Sequence, residues 1–192
     1  FFTFDLILFG AFTRLTDSGL GCPDWPGCYG LSNPWAAIHD IRAAEIQMPS
    51  GPVTLSKAWI EMLHRYFAMG VGCLIIGMVA WSFIKRHSTG IRDFWASLAI
   101  LLLVCLQGAF GAWTVTLKLQ PIVVTAHLLL GLTLVASLAI FSMATSPILV
   151  GFVNKYSGTN LLNWLIGALV ILGAQIFLGA WVSTNYAVLA CE

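Results

Sequence analysis

Two histidines occupy matching places on two long apolar stretches. His64 lies six residues after Ala58, and His127 lies six residues after Pro121. At 1.5 Å of rise per helical residue, each imidazole sits roughly 9 Å below the start of its helix. Facing imidazoles on bundle helices hold haem iron from both sides. The same two residues also suit interhelical hydrogen bonding, so both readings stay open at this point. Ionisable side chains inside a membrane are costly and usually functional, which makes either role worth pursuing. Glu61-x-x-His64 puts a carboxylate beside the first imidazole on one helical face, and Arg65 follows directly. Glu61 can complement the helix dipole, orient His64, or accept protons. Arg65 can pair with a carboxylate, either Glu61 or a haem propionate. A further candidate pair is Cys22 and Cys28, in Cys22-Pro23-Asp24-Trp25-Pro26-Gly27-Cys28. Two prolines and a glycine make a tight turn there, and on an oxidising side of a membrane a disulfide is expected. His39 and His87 read as solvated loop residues. Cys73 and Cys105 read as small packing residues within helices. Cys191 has no partner in this chain.

These residues need a scaffold, and the composition names it. Of 192 residues, 59% are hydrophobic and 9% charged, against about 25% charged in an ordinary soluble domain. The net charge is +1. That excludes the basic surface of a nucleic-acid binder and the high charge of a disordered chain. The sequence reads as an all-α, polytopic transmembrane helix bundle. A span needs about 20 apolar residues. Four stretches qualify: 66–84, with its helix starting near Ala58, then 94–117, 122–144 and 161–182. Residues 1–13 are apolar apart from Asp5 but reach only about 20 Å. The chain is therefore expected to start inside its first helix. Lys85, Arg86 and Arg92 crowd one connection, whereas Arg14, Arg42 and Lys57 are spread over 14–57 and outnumbered by Asp17, Asp24, Asp40 and Glu45. Dense basic charge marks the cytoplasmic side, so 85–92 is placed inside and loop 14–57 outside. The stretch 145–160, with Lys155, then falls inside as well.

The chain also repeats itself. Gln107-x-x-x-Gly111-Ala112-Trp113-x-x-Thr116 recurs as Gln175-x-x-x-Gly179-Ala180-Trp181-x-x-Thr184, and Gly10-Ala11-Phe12 resembles both. Small residues let membrane helices approach closely. Gly10 and Gly179 are 169 residues apart, as are Cys22 and Cys191. The expected organisation is an N-terminal four-helix membrane unit over 1–154, containing the outer loop 14–57. Residues 155–192 then open a second, pseudo-symmetric unit, of which this chain holds the first helix.

The string Thr13-Arg14-Leu15-Thr16-Asp17-Ser18-Gly19-Leu20-Gly21-Cys22-Pro23-Asp24-Trp25-Pro26-Gly27-Cys28-Tyr29-Gly30 resembles the haem A synthase family. So do Glu61-Met62-Leu63-His64-Arg65-Tyr66 and Thr125-Ala126-His127, in the same order and spacing. The likeness is to bacterial members with a cysteine pair in the first outer loop. It implies eight membrane helices in two halves, each supplying a pair of histidines at the outer side. His64 and His127 would then be axial ligands to haem O as substrate, Arg65 part of the haem-binding set, Glu61 the catalytic carboxylate, and Cys22–Cys28 a disulfide. The implied reaction converts the C8 methyl of haem O to a formyl group, giving haem A for cytochrome oxidase. The resemblance implies a cell inner membrane setting with loop 14–57 on the periplasmic side. Its implied partners are membrane lipid, haem O synthase and cytochrome oxidase assembly factors, with no nucleic acid. A haem b site is expected in the C-terminal half, outside this chain, and a chain of this extent is expected to be inactive alone.

The main competitor is a bis-histidine b-type membrane cytochrome that only moves electrons. Glu61 separates the two, because electron transfer needs no acid–base group one turn from an axial ligand. A thiol oxidase ranks below, since only one cysteine pair shares a loop. A transporter ranks lower still, for want of paired mid-depth helix breaks.

Overall fold

The computed structural model describes residues 1–146 and 159–185. Six helices are present among them: α1 (Phe2–Leu15), α2 (Ile38–Gln47), α3 (Leu55–Thr89), α4 (Ile91–Thr116), α5 (Pro121–Thr145) and α6 (Thr159–Thr184). Four are long and apolar enough to cross a membrane: α3, α4, α5 and α6. No strand occurs among the described residues, only an isolated bridge between Cys28 and Leu31. The expected junction of two units and Cys191 both lie outside the described residues.

Helix α3 begins three residues earlier than the apolar pattern alone indicates. Thr54 is its N-cap, accepting the Lys57 N–H at 3.3 Å, and a capping side chain is what fixes such an end. Its 35 residues run about 52 Å, well beyond a hydrocarbon core of roughly 30 Å. The basic stretch expected as a loop is mostly helix. Lys85 and Arg86 still belong to α3, and Gly90 alone joins it to α4. Gly90 adopts φ 102, a value open to glycine, and this turns the chain back on itself. Lys85 and Arg86 lie over Trp81 and Phe83, at 5.4 and 4.1 Å from the ring centroids. Such pairing suits a membrane–water boundary, where long cationic side chains snorkel and aromatics gather.

The helices form a ring. Helix α1 packs on α3, α3 on α4, and α4 on α5, while α1 also touches α5 and closes the circuit. Helices α3 and α5 thus stand across the ring from one another. Helix α6 packs on α5. Val71, Ile75, Ile100 and Leu134 fill the ring toward the basic end, with Leu6 packed against them. Leu74, Ile76, Leu102 and Ile140 face outward, as expected where the surrounding solvent is lipid.

The loop between α1 and α3 has its own core. Cys22, Cys28, Ala37 and Ile41 are buried against Ala58 and Met62 at the start of α3. Helix α2, which the sequence pattern did not reveal, supplies Ile41 to that cluster.

Candidate functional site

Each histidine is seated on a glycine of a neighbouring helix. His64, on α3, lies against Gly10 of α1: a Cβ there would be 3.0 Å from Nε2. The Phe9 ring stacks beside it at 6.2 Å. His127, on α5, lies against Gly111 of α4, where a Cβ would be 3.1 Å from Cε1. The α4–α5 contact is reciprocal, because the Gln107 amide nitrogen of α4 lies 3.0 Å from the Cβ position of Gly131 on α5. Gly10 and Gly111 come from the repeated Gly-Ala-aromatic motif. The repeat therefore does more than bring backbones together: two of its copies make room for imidazoles. Around the third copy, Gly179, the space within 4 Å is open.

The two imidazoles stand on helices across the ring from one another. His127 Nδ1, Thr125 Oγ1 and Gln107 Oε1 are buried with no hydrogen-bond partner of good geometry among the described residues, although the Gln107 backbone lies close to the His127 ring. Buried polar atoms are nearly always satisfied, so orphans of this kind point to a group that completes the site. Two imidazoles on helices across the ring, each with glycine at its back, are side chains that would suit a haem iron. No cluster of three or more His, Cys, Asp or Glu that would suit a bare metal ion occurs among the described residues.

Glu61 is 4% exposed, and its carboxylate turns toward the disulfide loop. Oε2 accepts the Cys22 N–H at 2.8 Å, and Oε1 accepts from Arg65 Nη2 at 2.5 Å. Of the two partners open to Arg65 in sequence, the structure brings it to Glu61. Arg65 Nη1 also donates to the carbonyls of Gly27 at 2.5 Å and Pro26 at 3.2 Å. The residues flanking His64 on α3 are thus bolted to the loop from both sides. Tyr66 adds a third tie, its hydroxyl donating to the Ser32 carbonyl at 2.6 Å.

Cys22 and Cys28 form a disulfide with Cα atoms 4.9 Å apart. Asp24 shapes the turn between them, a role not assigned to it from sequence. Its two oxygens accept the N–H groups of Tyr29 and Gly30, both at 2.6 Å. Tyr29 and Gly30 are left-handed, with φ 53 and 72. Burial, then Asp40 and Asp24, hold the Tyr29 hydroxyl above the ordinary tyrosine range, so it stays a neutral donor in this acidic corner. Both cysteines are fully buried. In an untreated, non-reduced preparation they are expected to take up no maleimide, and two labels should appear only after reduction. Labelling of either one without reductant would contradict the pairing.

The remaining candidates stay apart from this site. His39 is exposed on α2 and His87 is exposed near the end of α3. Cys73 and Cys105 are free and exposed on helix faces.

Comparison with known proteins follows the same geography. The sequence is 43% identical over 190 residues to the heme A synthase of Shewanella oneidensis, covering 99% of this chain and 56% of that protein. It is 31% identical over 199 residues to the heme A synthase of Rhizobium rhizogenes, covering 94% and 53%. It is 29% identical over 196 residues to that of Rhizorhabdus wittichii, covering 94% and 56%. The chain spans about half the length of these curated relatives. No solved structure matches it significantly. One family accounts for residues 1–192, from the disulfide loop through both imidazole-bearing helices. On that match the chain belongs to the COX15-CtaA family of cytochrome oxidase assembly proteins.

Proposed function

We propose that this protein acts in haem A biosynthesis as a haem A synthase, an inner-membrane oxidoreductase that converts the C8 methyl of haem O to a formyl group. The observation that carries the reading is the pair of glycine-seated imidazoles on α3 and α5. The heme A synthases it resembles support the chemistry. In this reading His64 and His127 hold the iron of the substrate haem, and loop 14–57 covers them from the periplasmic side. Lys85, Arg86 and Arg92 at the opposite end support that orientation.

The chain's own residues then have distinct tasks. Gly10 and Gly111 set the two ring positions. Glu61, held by Arg65 and the Cys22 N–H, keeps a negative charge one turn from His64. There it stabilises positive charge that develops as the methyl group is oxidised, or takes up a released proton. Arg65 and the disulfide loop fix that carboxylate and keep water from it.

The test is the haem content of the native protein purified from its own membranes. Haem O and haem A together are expected, and His127→Ala should lose both. Haem B alone would sink the synthase reading. Gly111→Val should act like a milder His127→Ala, because its side chain enters the space of the ring. A tenfold or greater loss of haem affinity is expected, in line with changes just outside a metal's ligands. Unchanged affinity would remove Gly111 from the site.

One observation favours the b-type cytochrome as a second reading. Both Glu61 oxygens already have partners, as a purely structural carboxylate would. Substitution of Glu61 separates the two readings.

A further inference from the structure

A cavity of about 440 Å³ opens at the loop end of the bundle, between the end of α1, the α4–α5 turn and the end of α6. Its wall carries two cations and one anion, Arg14, Lys118 and Asp17. Lys57 already engages Asp17 at 3.6 Å, so the anion on the wall has a cation partner outside it. Arg14 is held at the wall by its bond to the Ser183 carbonyl of α6, at 2.9 Å. Lys118 and Leu119 adopt successive left-handed conformations, φ 51 and 59, in the sharp turn that puts both residues on the cavity wall. The Lys118 ammonium has no ion pair or hydrogen bond among the described residues. Helix α5 starts at Pro121 on the same wall, and the positive end of its dipole adds to the field. The rest of the lining is mostly apolar, chiefly Leu119 and Val124, with Thr184 and Asn185 of the α6 end adding polar groups.

We propose that this cavity binds an oxyanion carried on an apolar body. Two sources share that chemistry. One is a carboxylate of the tetrapyrrole that the imidazoles hold. Val124 lies one helical turn before His127, on a neighbouring part of the α5 surface, so the outer edge of such a ligand would reach toward the cavity. The other is the phosphate of a phospholipid. The carboxylate source rests on the haem reading above, and the phosphate source does not.

The experiment compares wild type with Lys118→Gln, and uses Lys118→Arg as the rescue. Lys118 is exposed, so folding is not at stake. Protein made in haem-depleted cells is titrated with protohaem and with protohaem dimethyl ester, which lacks the carboxylates. Phosphatidylglycerol retained through purification is measured in parallel. If the carboxylate is bound, wild type prefers the free acid at least tenfold, Lys118→Gln loses the preference, and Lys118→Arg restores it. If the phosphate is bound, acid and ester bind alike, but retained phosphatidylglycerol falls at least threefold in Lys118→Gln and returns in Lys118→Arg. If neither the preference nor the lipid changes, the proposal is overturned. Failure of acid and ester alike to bind wild type would instead count against the haem reading, with the lipid measurement still deciding the cavity.

Discussion

Glu61→Gln in the native protein is expected to leave haem O bound while haem A formation falls by about 100-fold or more. Removing one preorganised electrostatic group from a reacting site typically costs about 10²–10³ in rate. Glu61 lies one turn from His64 and is almost fully buried, so little water screens its charge. The measurement is chromatography of haem extracted from wild type and variant. Partly oxidised haem is expected to accumulate in the variant. The substitution also has a structural side. A glutamine keeps one acceptor oxygen but turns an NH₂ toward either Arg65 Nη2 or the Cys22 N–H, both of which are donors. One charge-assisted bond is lost, a cost of roughly 1.5–3 kcal/mol. Arg65→Gln removes the same ion pair yet retains the Glu61 charge, and so serves as the control. If Arg65→Gln loses haem A formation as fully as Glu61→Gln does, the effect is loop loosening. If Glu61→Gln makes haem A at the wild-type rate, Glu61 has no part in the chemistry and the cytochrome reading gains.

The division between what was legible in the sequence and what was not follows the range of the forces involved. Apolar length and basic clustering are local quantities, so the membrane-spanning helices could be read directly. The equal depth expected for His64 and His127 does not hold against the observed helix starts, because His64 lies nine residues after Leu55 and His127 six after Pro121. Interhelical register was not legible. The Gly-Ala-aromatic repeat read as generic close packing, and only the pairing of α1 with α3 and α4 with α5 assigns an imidazole to each glycine. Glu61 shows another limit. A spacing of three residues puts it near His64 on the helix, but about 60° around the axis, and that angle lets its carboxylate turn to the loop. The turn role of Asp24 and the existence of α2 were not legible either, because a turn carboxylate and a short helix with one buried apolar contact leave no periodic trace.

Gly21→Ala is expected to undo the same arrangement from the loop side. A Cβ on Gly21 would stand 2.5 Å from the Lys57 carbonyl carbon and 2.6 Å from the Ala58 nitrogen. Those are backbone atoms in the first turn of α3, so no rotamer change can relieve the clash. The loop must lift, and its next residue is Cys22, whose N–H holds Glu61 at 2.8 Å. Lifting leaves a buried carboxylate short of a donor and exposes the disulfide, which is fully buried in the docked loop. Reduction of Cys22–Cys28 by dithiothreitol should therefore accelerate at least tenfold, and Tm should fall by several degrees. Haem A formation should drop with it, because the charge beside His64 loses its fixed position. Gly72→Ala is the matching control. It lies within α3, and a Cβ there would meet nothing within 4 Å. Relief of glycine's extra backbone entropy should make that variant neutral or more stable by about 0.5–1 kcal/mol. A Gly21→Ala protein whose disulfide reduces at the wild-type rate, with unchanged Tm, would show that the loop does not dock on α3 through this glycine.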